Sequence, residues 1–219
     1  MIDEILLNLE DFRDEKYAKF QNKLIKTDMK ILGIRTPVLR KFAKKVENLE
    51  FLKAKKREIY ELNLLEAFVL SSINLEFKTK LEIYNKFIKR VDNWALIDAV
   101  KFKEFDRNML FGEIKIWLIS KDEFIKRAGY VNLLYHFVDE RWLDFIFSIK
   151  DNNLAYYDTM GHAWLISECM ARYPSKTFEF LKDRNLKEKT FKKAVSKSLD
   201  SFRVSEIYKQ KLKGLRLKS

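Results

Sequence analysis

The chain has 219 residues, a length that suits one domain or one continuous array. It is 47% hydrophobic and 14% aromatic, with 18 Phe but only 5 Gly and 2 Pro, so a sizeable core is available while the turn residues of a sheet protein are scarce. Lys and Arg number 44 against 32 Asp and Glu, a formal charge of +12 that attracts nucleic acid first and anionic membrane second, and that fits a solvated lysine-rich surface equally well.

Apolar residues recur at helical spacing from the first residues onward. Ile2 to Leu9 and Phe12 to Leu24 read as helices, with Tyr17, Phe20 and Leu24 expected as a buried stripe. Gly33 breaks the pattern. Thr36 is expected as an N-cap with Pro37 at the first helical position. That helix turns Leu39, Phe42, Ala43 and Val46 inward and Arg40, Lys41, Lys44 and Lys45 outward. A lysine-rich segment, Lys53 to Arg57, leads to an apolar run from Leu62 to Leu75, too long for a strand and read as a buried helix. Lys78 to Val91 is amphipathic, with Leu81, Tyr84, Phe87 and Ile88 inward. Asp92 or Asn93 caps the next helix. Further helices are expected at about Arg107 to Ile119, Lys121 to Phe137, Trp142 to Ile149, Leu154 to Arg172, Pro174 to Leu181, Leu186 to Leu199 and Ser205 to Leu215. The expected class is all-α, in a single domain over 1–219. Helix pairs return roughly every 30–45 residues, the range of helical solenoid repeats, although no clean sequence repeat is visible. Stacked repeats of this kind generate a concave surface, and a basic one would cradle duplex DNA.

One cysteine, Cys169, excludes an intrachain disulfide and a cysteine-based zinc site. Only His136 and His162 join it, so neither a metal nor a cofactor is expected. The beginning, Met1-Ile2-Asp3-Glu4, is acidic and lacks a signal-peptide pattern. No stretch approaches the ~20 apolar residues of a membrane span. A cytoplasmic protein with no membrane partner is expected. There is no Gly-rich phosphate loop, no His-Glu-x-x-His and no zinc-deaminase spacing.

The stretch Asp92-Asn93-Trp94-Ala95-Leu96-Ile97-Asp98 places an indole and a carboxylate four residues apart, on one helix face. A carboxylate on a DNA-facing surface would repel the phosphates, so it would have to do chemistry. Read by itself, Asp98 fits better as a surface aspartate favoured near a helix N-terminus by the helix dipole. Trp94 and Trp164 fit core positions as readily as a cleft, and Trp117 and Trp142 are assigned to packing. Asp158 and His162 stand four apart, with Cys169 two turns further along. That spacing permits an Asp–His–Cys arrangement, but a neutral or packed His162 fits it better.

Several stretches together resemble one family, the bacterial DNA alkylation repair glycosylases built from HEAT-like helical repeats. Gly33-Ile34-Arg35-Thr36-Pro37-Val38-Leu39-Arg40 is similar to the family's early Gly-Val-Arg-Thr-Pro-x-Leu-Arg segment. Asn93-Trp94 to Asp98 resembles its Asn-Trp-x-x-x-Asp signature. Phe124-Ile125-Lys126-Arg127-Ala128 resembles its aromatic-x-Arg-Arg-x segment, and Tyr156 to Leu165 its late Tyr-Tyr-Val-Lys-Met-Ala-x-Ala-Trp-Leu segment. The ending from Phe191 to Val204 also fits. Any one motif is weak, but the ordered set covers nearly the whole chain.

The resemblance implies a superhelical array of HEAT-like repeats with a basic concave face. It implies hydrolysis of the N-glycosidic bond of cationic N3- or N7-alkylated purines in duplex DNA, without base flipping, by a monomer in the bacterial cytoplasm or nucleoid. It makes Asp98 the catalytic carboxylate and Trp94, Trp164 and Arg127 the contacts to DNA at the lesion. Lys126, Arg35 and Arg40 follow as candidate phosphate contacts. An anion beside the sugar would stabilise the oxocarbenium character left as the purine departs, and would orient water. A cationic purine leaves without protonation, so one carboxylate suffices where sugar hydrolases need two. Ala95, Asp158, Thr159, Gly161 and His162 depart from the family pattern; a lost lysine and a gained aspartate would weaken phosphate attraction. The competing readings are a non-catalytic helical-repeat protein that grips damaged, bent or branched DNA, and a protein-interaction scaffold.

Overall fold

Apolar periodicity of three and four produces fourteen α-helices and no strand among the described residues. The structure, a computed structural model, describes residues 1–46, 48–56, 58–153, 155–183 and 185–217. Arg57 and Leu154, at the edges of two expected segments, lie outside them. None of the helices is long and apolar enough to cross a membrane.

The helices are α1 (Ile2–Leu9), α2 (Glu15–Leu24), α3 (Thr36–Lys45), α4 (Leu49–Lys53), α5 (Tyr60–Ser72), α6 (Phe77–Ile88), α7 (Trp94–Ala99), α8 (Arg107–Leu118), α9 (Glu123–His136), α10 (Leu143–Ser148), α11 (Tyr156–Arg172), α12 (Pro174–Lys182), α13 (Glu188–Asp200) and α14 (Glu206–Leu217). They group into two units, Met1–Gly112 and Glu113–Ser219, with the division falling inside α8.

In the first unit α5 is the central post, buried from Tyr60 to Leu70 and packed against α3, α4 and α7. A helix buried on every side has no solvent face to offer, which explains the largely apolar run that marks it in the sequence. It carries two buried acids, and each has partners. Glu66 pairs with buried Lys56 at 3.2 Å and with Arg90. The Glu61 carboxylate accepts from the backbone N–H groups of Leu32 (2.9 Å), Gly33 (2.8 Å) and Ile34 (3.3 Å). Burial pushes the Glu61 carboxyl upward in pKa, and the three N–H groups oppose that shift. The cradle fixes the chain just before α3. Gly33 sits there at φ +84°, where an added Cβ would collide with the Asp14 carbonyl and with Ala18. Arg35, not Thr36, is the N-cap, so Pro37 falls at the second helical position, a one-residue shift from expectation.

In the second unit α11 is the post, packed against α9, α12 and α13. Gly161 allows α9 to come close: a Cβ there would lie 3.3 Å from the Arg127 stem and 3.4 Å from the Tyr130 ring. Its departure from the expected residue type is therefore a packing choice. Trp117 is buried, as its assignment to packing requires.

Candidate functional site

α7 is short, and its placement is dictated from both ends. The Asn93 side chain accepts from Leu96 N–H at 3.2 Å and is the N-cap. Asp92 serves a different purpose. Its carboxylate accepts from the Thr27 hydroxyl at 2.8 Å and from Asp28 N–H at 3.0 Å, tying the segment after α2 to the start of α7. The Trp94 indole N–H donates to the Leu24 carbonyl at 3.4 Å, which seats the ring against the end of α2.

This arrangement leaves a cavity of about 290 Å³ in the first unit. Trp94 and Asp98 line it one helical turn apart, and Arg40, Gln21, Tyr17 and Phe20 are among the residues that complete the wall. The expected core stripe on α2 is corrected here: Phe20 and Leu24 are each 53% exposed. They face the cavity because α7 is held at the end of α2 rather than over its length. Tyr17 and Phe20 stack with ring centroids 6.2 Å apart. Arg40, exposed, lies with its guanidinium 4.3 Å from the Phe68 ring centroid, and Phe68 also lines the space. Gln21 was not picked out from the sequence. It is 6% exposed, it lines the cavity, and its Oε1 has no hydrogen-bond partner among the described residues. Such an acceptor is costly to leave dry. Ala95, where the family pattern carries an acid, is also on the wall.

Arg35 stands apart from the cavity wall. Its guanidinium pairs with Asp14 at 2.9 Å and covers the Tyr17 ring at 4.6 Å, so it supports the aromatic wall from behind. The Tyr17 N–H, and after it the same guanidinium, hold the Asp14 carboxyl below its usual pKa range.

The remaining predicted residues belong to the second unit. Lys126 is only 2% exposed. Its ammonium donates to the Asn152 side chain at 3.1 Å and lies 3.8 Å from the Asp158 carboxylate. Lys126, expected as a candidate phosphate contact, is thus engaged within its own unit: a desolvated lysine needs a counter-charge, and Asp158, the aspartate that departs from the family pattern, supplies it. Arg127 is 6% exposed and donates to the Tyr157 carbonyl at 3.0 Å, at the start of α11. Trp164 is half-buried and meets Tyr135 edge-on, with centroids 6.1 Å apart.

His162 is fully buried, stacked on Tyr130 at 4.6 Å, and paired through Nδ1 with the Asn153 amide at 3.3 Å. Burial pushes its pKa down to about 4, so the ring is neutral at physiological pH. Burial also pushes the Cys169 thiol up to about 12. A protonated, buried thiol is no nucleophile, which removes the Asp–His–Cys arrangement. Among the described residues no group of three or more His, Cys, Asp or Glu is placed to hold a metal ion.

Residues 5–198 match the family model described as DNA alkylation repair enzyme. The chain belongs to that family. Among curated proteins none matches it. Membership spans both units, and it places the Trp94–Asp98 cavity and the Arg127–Trp164 region inside a repair enzyme rather than a general helical scaffold.

Proposed function

We propose that this repair-family enzyme is a DNA glycosylase that hydrolyses the N-glycosidic bond of cationic alkylated purines in duplex DNA. The observation that carries the reading is the pairing of Asp98 with Trp94 on the wall of one aromatic-sided cavity. In the reaction the C1′–N bond breaks and its electron pair leaves with the purine, cancelling the purine's positive charge. The deoxyribose is left with oxocarbenium character. Water adds at C1′ and gives up a proton. An aspartate carboxylate beside the sugar stabilises the developing cation and holds the water by hydrogen bonding.

Trp94 offers its ring to the sugar or to the charged base, where a cation over an indole is attracted by the ring quadrupole. Gln21 offers a buried acceptor to whatever donor enters the cavity. Arg40, exposed at the wall, is the better phosphate ligand of the arginines in the first motif, because Arg35 is already paired. In the second unit Arg127 acts by fixing Tyr157 and the start of α11, and Trp164 is the second aromatic contact. Phosphate contacts position DNA without reading sequence, which suits repair of scattered lesions.

The test is release of free methylated base from a duplex containing N7-methylguanine. The Asp98→Asn variant should release base at least about 100-fold more slowly, the loss typical of removing one preorganised electrostatic group. It should bind the duplex as tightly as the unaltered chain or more so, because a negative charge has gone. Equal release by the two proteins sinks the assignment of Asp98. Duplex binding with no release by either favours a non-catalytic DNA-binding role.

A further inference from the structure

The charge of this chain is concentrated at one end. Residues 187–217 hold ten Lys and Arg against three Asp and Glu, a net of +7 within the +12 of the whole chain. On α13 the buried face is Thr190, Phe191, Ala194, Val195 and Ser198. Lys189 and Lys193, one turn apart, therefore stand together on its exposed side. The turn that follows carries Phe202, 93% exposed.

That turn is anchored on both sides of the ring. Ser201 N–H donates to the Ser198 carbonyl at 3.3 Å, and Val204 N–H donates to the Ser201 carbonyl at 3.3 Å, with the Val204 side chain in the core. Arg203 grips Glu168 of α11 with two prongs, Nη1 to Oε1 at 3.0 Å and Nη2 to Oε2. Phe202 is thus an apolar side chain held outward by buried and ion-paired neighbours. Ile207, in the first turns of α14, is exposed as well. A single exposed hydrophobe needs no explanation. A tethered one that directly follows a lysine-bearing helix, in a chain segment this basic, is complementary to a polyanion that also presents apolar edges, and duplex DNA presents both.

We propose that the exposed face of α13 and the Phe202 turn form a second contact to duplex DNA that does not depend on the lesion, with Lys189 and Lys193 on phosphates and the Phe202 ring against the minor groove, where apolar side chains wedge between base steps. The inference rests on the reading of DNA as the partner, but not on Asp98 or the glycosylase chemistry.

The experiment is a titration of an undamaged duplex with the full chain across a range of salt concentrations, repeated for Lys189→Gln/Lys193→Gln and for Phe202→Ala. All three substituted side chains are exposed, and thermal melts confirm that each variant is folded. The double glutamine variant should lower the steepness of the log affinity against log salt plot by about 2, since each neutralised phosphate contributes about 0.9. Phe202→Ala should weaken affinity by about fivefold or more with the salt slope unchanged, as expected for loss of apolar contact alone. Unaltered affinity and slope in both variants overturns the proposal. So does loss of binding to phosphatidylserine vesicles in the variants while duplex binding stays intact, which would assign the surface to a membrane. Base release from methylated duplex separates the two readings. Release by the unaltered chain with unaffected duplex binding by the variants removes only this surface. Lesion-independent binding that the variants weaken, with no base release by any protein, removes only the glycosylase.

Discussion

The two units place the same kinds of residue, an aromatic ring and ionisable groups on neighbouring helices, in opposite situations. Around Trp94 they line a cavity: Asp98 is half-buried on its wall, Arg40 is exposed on the same wall, and the Gln21 oxygen is buried there without a partner among the described residues. On α9 and α11 they are turned inward: Lys126 faces Asp158 and Asn152, Arg127 holds a carbonyl, and His162 is a neutral ring stacked on another ring. A carboxylate at a cavity can act on what enters, whereas one facing a buried lysine holds helices together. Residue type therefore does not distinguish the chemical site from the structural one; access does.

The sharpest way to break this contrast is to remove the charge from each region in turn. Lys126→Met should remove a buried cation that faces the Asp158 carboxylate, a loss of about 3 kcal/mol in urea unfolding. Adding Asp158→Asn to Lys126→Met should recover much of that loss, because a neutral amide needs no counter-charge. A cost under about 1 kcal/mol for Lys126→Met would mean that the pair is not what holds α9 to α11. Asp98→Asn should behave in the opposite manner, with little change in stability and the large loss of base release already described.

Much of the fold was legible because local signals agreed with it. Asn93 and Asp122 cap α7 and α9, and Pro174 opens α12. The inward set of α6, Leu81, Tyr84, Phe87 and Ile88, is buried throughout. α4 escaped notice because five residues make little more than one turn, too few for a period to repeat. The errors share one cause. A spacing of three and four states which residues share a face, but not what that face meets. Tyr17, Phe20 and Leu24 do share a face, and it meets a cavity because α7 lies 70 residues away in sequence at the Trp94–Leu24 bond. Lys126 looks like its solvated neighbours until Asp158 arrives from another helix. Glu61 gives no sign in the sequence that three N–H groups lie 27 to 29 residues before it. Trp94 and Asp98 stood out because a family pattern names them, and the cavity they share could not be read from spacing.

A smaller effect follows from His162. Its pKa in the folded chain is about 4, below the unfolded value near 6.5. Between these values the unfolded chain binds more protons, so stability rises with pH across that window and is lost as pH falls through it. The loss should reach at most about 3 kcal/mol by pH 4. His162→Gln has no proton to take up in this range. Its unfolding free energy should change less steeply from pH 6.5 to pH 4 than that of the unaltered chain, against the same carboxylate background. Parallel profiles would show that the buried ring takes up its proton without cost.

The smallest effects should separate the two arginines of the first motif, which stand five residues apart at the cap and in the middle of α3 but hold different partners. Arg35 joins Asp14 and covers Tyr17, an exposed arrangement, so Arg35→Met should cost less than about 1 kcal/mol of stability. It should leave the salt dependence of duplex binding alone. Arg40 lies over Phe68 at the cavity wall. Arg40→Met keeps an unbranched stem on that ring, so the melting temperature should hardly move, while the salt slope of duplex binding should fall by about 0.9 if the guanidinium meets one phosphate. A change of slope for Arg35 and none for Arg40 would reverse the assignment and move the DNA path away from the cavity. A change for both would mean that the Asp14 pair opens when DNA binds, making Arg35 a ligand that its own fold holds in reserve.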